Sequence, residues 1–467
     1  MTSESVAFPL WRPEGTRAED IGPLYEVIGP GVQDNTIQTW RDEVLETIEK
    51  EMTALDEGLR KLSLDIHDHP ELKFEERHAH NVLTSFMREH GFEVTEHYVL
   101  ETAWKAEFTN LDGKGGRTLG VNSEMDALPG IGHACGHNLI AMAGVAVALA
   151  AKKALQVHKI PGKIVLLGTP AEEGGSGKEL LLRAGAYENM DACVMCHPAP
   201  GPIYGASLSS CLAVQRLVVE YHGATYVYRL QMAVDLPVLL TPLVPHSAHA
   251  AFSPWDGRNA LDSAVVAYTS ISVLRQQIKP SHRVHGIIEG KDWAPNIIPD
   301  YSRMIIYSRA PTRAEVSELV PRIRSCCEAA GLATACEANF SEPSPTTYEL
   351  RQNKALGNNF ADVFRKYYGP IDYEFGIKDA STDFGNVTYA LPGLHPGFSI
   401  PVPPRGANHT IAFTKAAASL EAHQACLNVS KALALTGVRV LADDEFFAEV
   451  RQTFEEDKSL RLSQVPG

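Results

Sequence analysis

Apolar and polar positions change rhythm several times along the chain. Residues 36–63 carry apolar positions at helical spacing among many charges, which predicts an amphipathic helix. A second helix is predicted over 76–90, ending at Gly91. Short apolar runs bounded by turn residues then follow at 117–126, 163–170 and 190–198, with helical patterns between them at 139–156 and 176–185. Strands alternating with helices predict βαβ units and a parallel-rich sheet. From about 212 the rhythm changes. Residues 213–223 alternate like a half-exposed strand, followed by a helix at 258–277, a strand at 302–309 and a helix at 312–330. That order reads as a small α+β unit with antiparallel strands. After 341 come a helix, a region rich in Gly and Pro, and a final helix at 415–436. The expected fold is therefore α/β, with a mostly parallel sheet. A larger domain is formed by residues 1–211 and 341–467 and is interrupted by a smaller α+β domain at 212–340.

One stretch breaks the pattern. Residues 224–245, ATYVYRLQMAVDLPVLLTPLVP, have no helical period and almost no charge, and they contain internal prolines.

Composition narrows the reading a little. At 467 residues the chain exceeds what one core usually serves. Its 57 acidic residues against 42 basic ones give a net charge of −15, which argues against nucleic acid and anionic membranes as partners. The first residues show no basic start followed by an apolar run, so a cytoplasmic location is the expectation. Residues 139–151 are very apolar but too short for a bilayer, and they read as a helix buried against the sheet. The cysteines are then expected to be reduced, and Cys211, Cys326, Cys327, Cys336 and Cys426 to serve in packing.

Chemistry gathers where the strands end. The first strand of the βαβ series runs into Glu124 and Asp126, the second into Glu172 and Glu173, the third into His197. In open α/β sheets ligands bind beyond the carboxyl ends of the strands. The stretch GIGHACGHN, with His133, Cys135 and His137, follows directly after the first strand. Imidazole, thiolate and carboxylate together suit Zn²⁺ and its neighbours. Adjacent carboxylates at a strand end point in different directions, so one of the Glu172–Glu173 pair can ligate while the other stays free to take a proton from water. The plainer reading is an acidic turn before a helix N-terminus; the other clusters at strand ends favour the metal. The run CVMCH at 193–197 matches a c-type haem attachment pattern. Its place on an apolar strand buries the thiols and favours His197 as a ligand instead. A nucleophilic Cys135 is the weaker alternative, since its neighbours read as co-ligands. His67, His69, His78, His80, His97 and His133 are read outside the site, as local packing, turn or solvated residues.

The chain resembles the M20 metallopeptidase/amidohydrolase family, in the branch of aminoacylase-1-like dipeptidases and N-acyl-amino-acid hydrolases. The segments that carry the resemblance are LDIHDHPELKFEE (64–76), EMDALPGIGHACGHN (124–138), GTPAEEGG (168–175), CHPAP (196–200), SAHAAFSPWDGRNAL (247–261), PNIIPD (295–300), STDFGNV (381–387) and NHT (408–410). The resemblance implies a catalytic α/β domain with a dinuclear metal site and an inserted α+β lid that dimerises. It implies Cys135, His137, Glu173, His197 and His409 as ligands of one or two Zn²⁺ ions, with Mn²⁺ or Co²⁺ as alternatives. Glu172 matches the general base and Asp126 the aspartate that orients a ligand and supports that base. His249 matches a lid histidine that reaches the partner subunit's site and stabilises the oxyanion. Asn296 and Arg309 match lid residues that contact substrate, and Gly397 a loop near the substrate carboxylate. The implied activity is hydrolysis of an amide bond in a dipeptide or N-acyl amino acid, by a homodimer acting on a small molecule. The alternatives are an amidohydrolase for a specialised-metabolite amide and a non-catalytic metal-binding or scaffold relative. Two departures stand out. Glu124-Met125-Asp126 occupies the place of the His-x-Asp of many relatives, and residues 224–245 interrupt a junction that relatives cross directly. The second departure reads as an in-frame retained intron.

Overall fold

The computed structural model describes residue 37 and residues 39–110, 116–201, 204–225, 244–245, 247–373 and 378–463. Its larger part is built on a six-stranded sheet. The strand Arg117–Glu124 lies parallel to Gly162–Thr169 on one side and to Ala192–Val194 on the other. Gly393–Leu394 extends the parallel portion, while Trp104–Asn110 and Glu93–Thr95 add an antiparallel edge. The mixed sheet remains parallel at its centre, where the site forms.

Helix His137–His158 covers one face of this sheet, with Leu139 to Ala151 buried throughout. A helix that is apolar all round needs neighbours on every side. Helices Asp42–Asp68 and Leu420–Ala442 supply them. Asp42–Asp68 faces inward through Val44, Ile48, Met52, Leu59, Leu62 and Ile66, the three- and four-residue spacing read from the sequence. His137–His158 and Leu420–Ala442 are both long and apolar enough to cross a membrane, yet most of each is buried against protein.

Several elements differ from expectation. The charged segment after the final predicted helix forms a further helix, Asp444–Ser463. A second, four-stranded sheet joins His197–Ala199, Gly397–Ser399, Ala206–Ser207 and Ile371–Asp372. Its strands are too short to show a period in sequence.

The inserted part is a four-stranded antiparallel sheet. Tyr301–Ala310 pairs along its length with Ala213–His222, while Arg283–Gly290 and Glu337–Ser341 form the edges. Only the two central strands were predicted; the edge strand Arg283–Gly290 does not alternate clearly, and Glu337–Ser341 is only five residues long. Helices Ala260–Leu274 and Arg313–Thr334 pack on the sheet. Within the odd segment, Ala224–Thr225 pairs antiparallel with Val244–Pro245, so its ends close on each other. The core of that segment, residues 226–243, lies outside the described residues.

Candidate metal centre

The strand ends bring the expected donors together. Helix His137–His158 starts immediately after Gly136, whose φ of 78° places it in the left-handed region. A Cβ at Gly136 would sit 2.5 Å from Pro198 Cγ, so only glycine lets the GIGHACGHN turn approach the strand that carries His197. Cys135 Sγ consequently lies 3.4 Å from His197 Nε2. His197 Nδ1 lies 2.8 Å from the Pro198 carbonyl, to which it donates, leaving Nε2 bare toward the thiol. His409 is carried on a loop with φ 66°, and its backbone N–H donates to the Ala134 carbonyl at 2.8 Å. That bond draws the loop onto the cysteine turn, and His409 Nε2 lies 3.4 Å from Glu173 Oε1.

Asp126 organises the other side. Its Oδ1 accepts from the Glu172 amide at 3.1 Å and its Oδ2 from the Glu173 amide at 2.9 Å. The same Oδ1 lies 3.2 Å from His137 Nδ1, which must donate because a carboxylate can only accept. His137 Nε2 is thereby turned toward Glu124 Oε2 at 3.3 Å, and toward Glu172 and Glu173, each at 3.9 Å.

Three overlapping donor groups result: Cys135 with His137 and His197, Cys135 with Glu173 and His409, and Glu124 with His137 and Glu172. His137 Nε2 and Glu173 Oε1 are buried with no hydrogen-bond partner among the described residues. Donor atoms about 2 Å from a shared ion stand about 3 Å from one another. The thiolate, imidazole and carboxylate set, with its orphaned atoms, fits transition-metal ions.

Electrostatics sets the pair of glutamates apart. Burial raises Glu172 well above the ordinary carboxyl value, and the charges of Glu124 and Glu173 add to it. Glu173 is shifted down, because the contact with His409 and the charges of His137 and His409 outweigh its burial. Glu172 is thereby the more basic of the two, as suits a group that accepts a proton, and Glu173 the more readily ionised, as suits a ligand. Burial likewise raises the Cys135 thiol, which disfavours it as a free nucleophile.

Sequence reasoning missed the charge behind this cluster. Lys178 is fully buried, with Nζ 2.6 Å from Glu124 Oε1 and 2.6 Å from Asp383 Oδ1. Its only signal was Asp383 inside the STDFGNV motif. His395 was missed as well. It is buried, its ring stacks 6.0 Å from that of His197, and burial lowers it to about 3, so it is a neutral wall of the site. The reading of His80 as a solvated histidine is corrected: it is 2% exposed on the buried face of helix Arg77–Glu89, with Nδ1 donating to the Thr102 carbonyl. His133 does sit in a turn, but it is buried too.

The substrate-side residues are more dispersed. Gly397 pairs with His197 in the small sheet, beside the donors. Arg309 bridges from the lid to the larger part, donating from Nη1 to Ser381 Oγ at 2.7 Å. His249 and Asn296 are exposed on the lid. His249 Nδ1 accepts from the amides of Ala251 and Phe252, and the fold does not bring it to the donors of its own chain.

Soft and hard donors converging beside a carboxyl made more basic by burial define the class, a metal-dependent hydrolase. The chain belongs to peptidase family M20/M25/M40, whose model matches residues 120–435. It is 39% identical over 419 residues to human Xaa-Arg dipeptidase, covering 85% of this chain and 89% of the relative. It is 27% identical over 467 residues to a p-aminobenzoyl-glutamate hydrolase polypeptide from Escherichia coli, covering 84% and 90%. Among solved structures, a dinuclear metal-binding peptidase of the M20 family from Bacillus subtilis superposes with a TM-score of 0.59 at 18% identity, over 83% of this chain and 99% of that one. The function that follows is metal-dependent hydrolysis of an amide or dipeptide bond.

Proposed function

We propose that the chain is a zinc dipeptidase for which Xaa-Arg dipeptides are the first substrates to test, with N-acyl amino acids and specialised-metabolite amides as the alternative amides. The observation that carries the reading is the Glu172–Glu173 pair, set apart as a more basic and a more acidic carboxyl beside buried donor atoms that lack hydrogen-bond partners. Cys135, His137, Glu173, His197 and His409 would hold one or two ions, and thiolate with imidazole favours Zn²⁺ over Mn²⁺ or Co²⁺. When bound, the metal supplies a Lewis acid for the scissile carbonyl and lowers the pKa of water to about 7.

The chain's own groups do the rest. Glu172 takes the proton of the attacking water and delivers it to the leaving amine. Asp126 holds both glutamate amides and the His137 ring, so the base and a ligand share one rigid support. The Arg309 guanidinium offers a fork for a substrate carboxylate near Gly397, with Asn296 as a further lid contact. The net charge of −15 favours approach of a cationic arginine side chain.

His249 serves the partner's site in this reading. The lid offers a surface for that partner. Val265, Tyr268 and Val273 are 49%, 48% and 71% exposed on helix Ala260–Leu274, and Ile287 is 56% exposed on the edge strand Arg283–Gly290. An exposed apolar helix beside a strand edge left unpaired among the described residues suits a second copy of the chain. The proposed compartment is the cytoplasm, where the unpaired cysteines stay reduced.

The test is a hydrolysis screen of Xaa-Arg dipeptides, neutral dipeptides and N-acyl amino acids on Zn²⁺-loaded protein, with and without residues 224–245. Turnover of Xaa-Arg dipeptides above the other classes is expected. Equal rates on every amide would sink the specificity, and tight zinc binding without turnover of any would favour the non-catalytic relative.

A further inference from the structure

A cavity of about 160 Å³ shares no lining residue with the donor cluster. It lies where the lid meets the larger part. Thr312, Arg313 and Ala314 line it from the start of the lid helix Arg313–Thr334, and Tyr389, Lys458 and Arg461 from the larger part, the last two on helix Asp444–Ser463. Three lining residues are cationic and one, Glu349, is acidic, in a chain whose net charge is −15. Glu349 is already engaged: Oε1 accepts from the Tyr389 hydroxyl and Oε2 from the Arg313 amide at 2.8 Å. Asp457 is shared by two guanidinia, with Arg351 Nε at 2.9 Å and Arg461 Nε at 3.0 Å. No carboxylate among the described residues pairs with the Arg313 side chain, and Lys458 reaches the exposed Glu455 at 3.7 Å.

Arg461 is the least satisfied of these groups. It is 9% exposed, and its Nη2 is buried without a hydrogen-bond partner among the described residues. Burial holds it below the ordinary guanidinium value in spite of Asp457. A buried charged donor without an acceptor is costly. The Tyr389 ring centroid lies 4.2 Å from Arg461 Cζ and 5.4 Å from Arg313 Cζ. A ring against a guanidinium fixes its plane and leaves its N–H edge for an acceptor. The lid helix adds a further donor. Glu349 takes the Arg313 amide and Thr312 Oγ1 the Glu315 amide at 3.2 Å, which leaves that of Ala314.

We propose that this cavity is a binding site for a phosphate-type oxyanion, held by the guanidinia of Arg461 and Arg313 with the Lys458 ammonium and the lid-helix amide. Donors on both walls suit an anion with three or more acceptor oxygens, where a carboxylate offers two. Because they come from the lid and from the larger part, the bound anion ties one to the other. The site stands apart from the metal centre and does not depend on it.

Full-length Zn²⁺-loaded protein is titrated with inorganic phosphate by calorimetry at constant ionic strength, and the thermal midpoint is followed in parallel. Wild type is expected to bind a phosphate that survives chelation of the metal, and its midpoint should rise with phosphate concentration. Phosphate held by zinc alone would instead be lost on chelation. Arg461→Gln and Arg313→Gln should each weaken phosphate by about 10- to 100-fold, the size of one hydrogen bond to a charged group. Sulfate should compete and acetate should not. Glycerol phosphate separates the two sources: tighter binding than inorganic phosphate assigns the site to a phosphate monoester, weaker binding to free phosphate. Arg313 is exposed, so Arg313→Gln is read alone if Arg461→Gln does not fold. No bound phosphate, phosphate lost with the metal, affinity within threefold of wild type in Arg313→Gln, or acetate competing as well as sulfate overturns the proposal.

Discussion

The donor cluster and the lid surface around His249 are built on opposite principles. At the centre, every donor but His409 is largely buried, and each ring or carboxylate is held by a second group: His137 by Asp126, His197 by a carbonyl, Glu124 by Lys178. On the lid, His249 and Asn296 are exposed and held mainly by local backbone contacts. Pre-organised groups act without reorganising, whereas exposed groups wait for a partner or a closing motion. The centre gathers its donors within one chain, whereas the exposed lid groups acquire a role only in the proposed dimer.

The widest break in this contrast is metal removal. Exhaustive chelation should abolish turnover and lower the thermal midpoint, and added Zn²⁺ should restore both, because a ligand bound only by the folded state stabilises it. Activity that survives a verified metal-free preparation would end the reading. Next in size is Glu172→Gln. Turnover should fall about 10²- to 10⁴-fold, the range of general acid–base catalysis, with metal content unchanged by elemental analysis.

The lid side is tested by His249→Ala, with an expected loss of about 10²- to 10³-fold in kcat, as for one oxyanion donor. Mixing it with Glu172→Gln subunits should return activity to about a quarter of wild type, since half the dimers are mixed and each holds one whole site. A mixture no more active than its parts would place His249 outside the partner's chemistry. The smallest effect is on stability. Burial raises Glu172, so its ionisation disfavours the folded metal-free chain. That contribution is fully present below the ordinary carboxyl value of 4.5 and is lost as pH rises through the raised one. Glu172→Gln should therefore raise the thermal midpoint of the metal-free protein by a few degrees at pH 8, and the gap should close near pH 4. A gap that widens toward acid would contradict the sign.

The donors were legible because strand ends punctuate the sequence. Glu124, Asp126, Glu172, Glu173 and His197 each follow an apolar run, and such runs converge on one edge of a parallel sheet. Lys178 was illegible for a complementary reason. A lysine near the start of a short helix reads as solvent-facing, and lysine is almost never fully buried unless paired. Its partner Asp383 lies 205 residues away, a separation that no local pattern reports. The lid edge strand Arg283–Gly290 stayed hidden because its exposed residues lie on both sides of the pleat.

By itself, then, the sequence determined the alternation of elements, the inserted second unit and the residue types that bind metal. These follow from periodicity and side-chain chemistry, both local properties. Tertiary structure decided which atoms face which. It aimed His137 Nε2 at Glu124, set Lys178 behind that carboxylate, buried His395 beside His197 and left His249 outward on the lid. Those relations come from packing between segments far apart in the chain, where burial and charge compensation act together and spacing along the sequence carries no information.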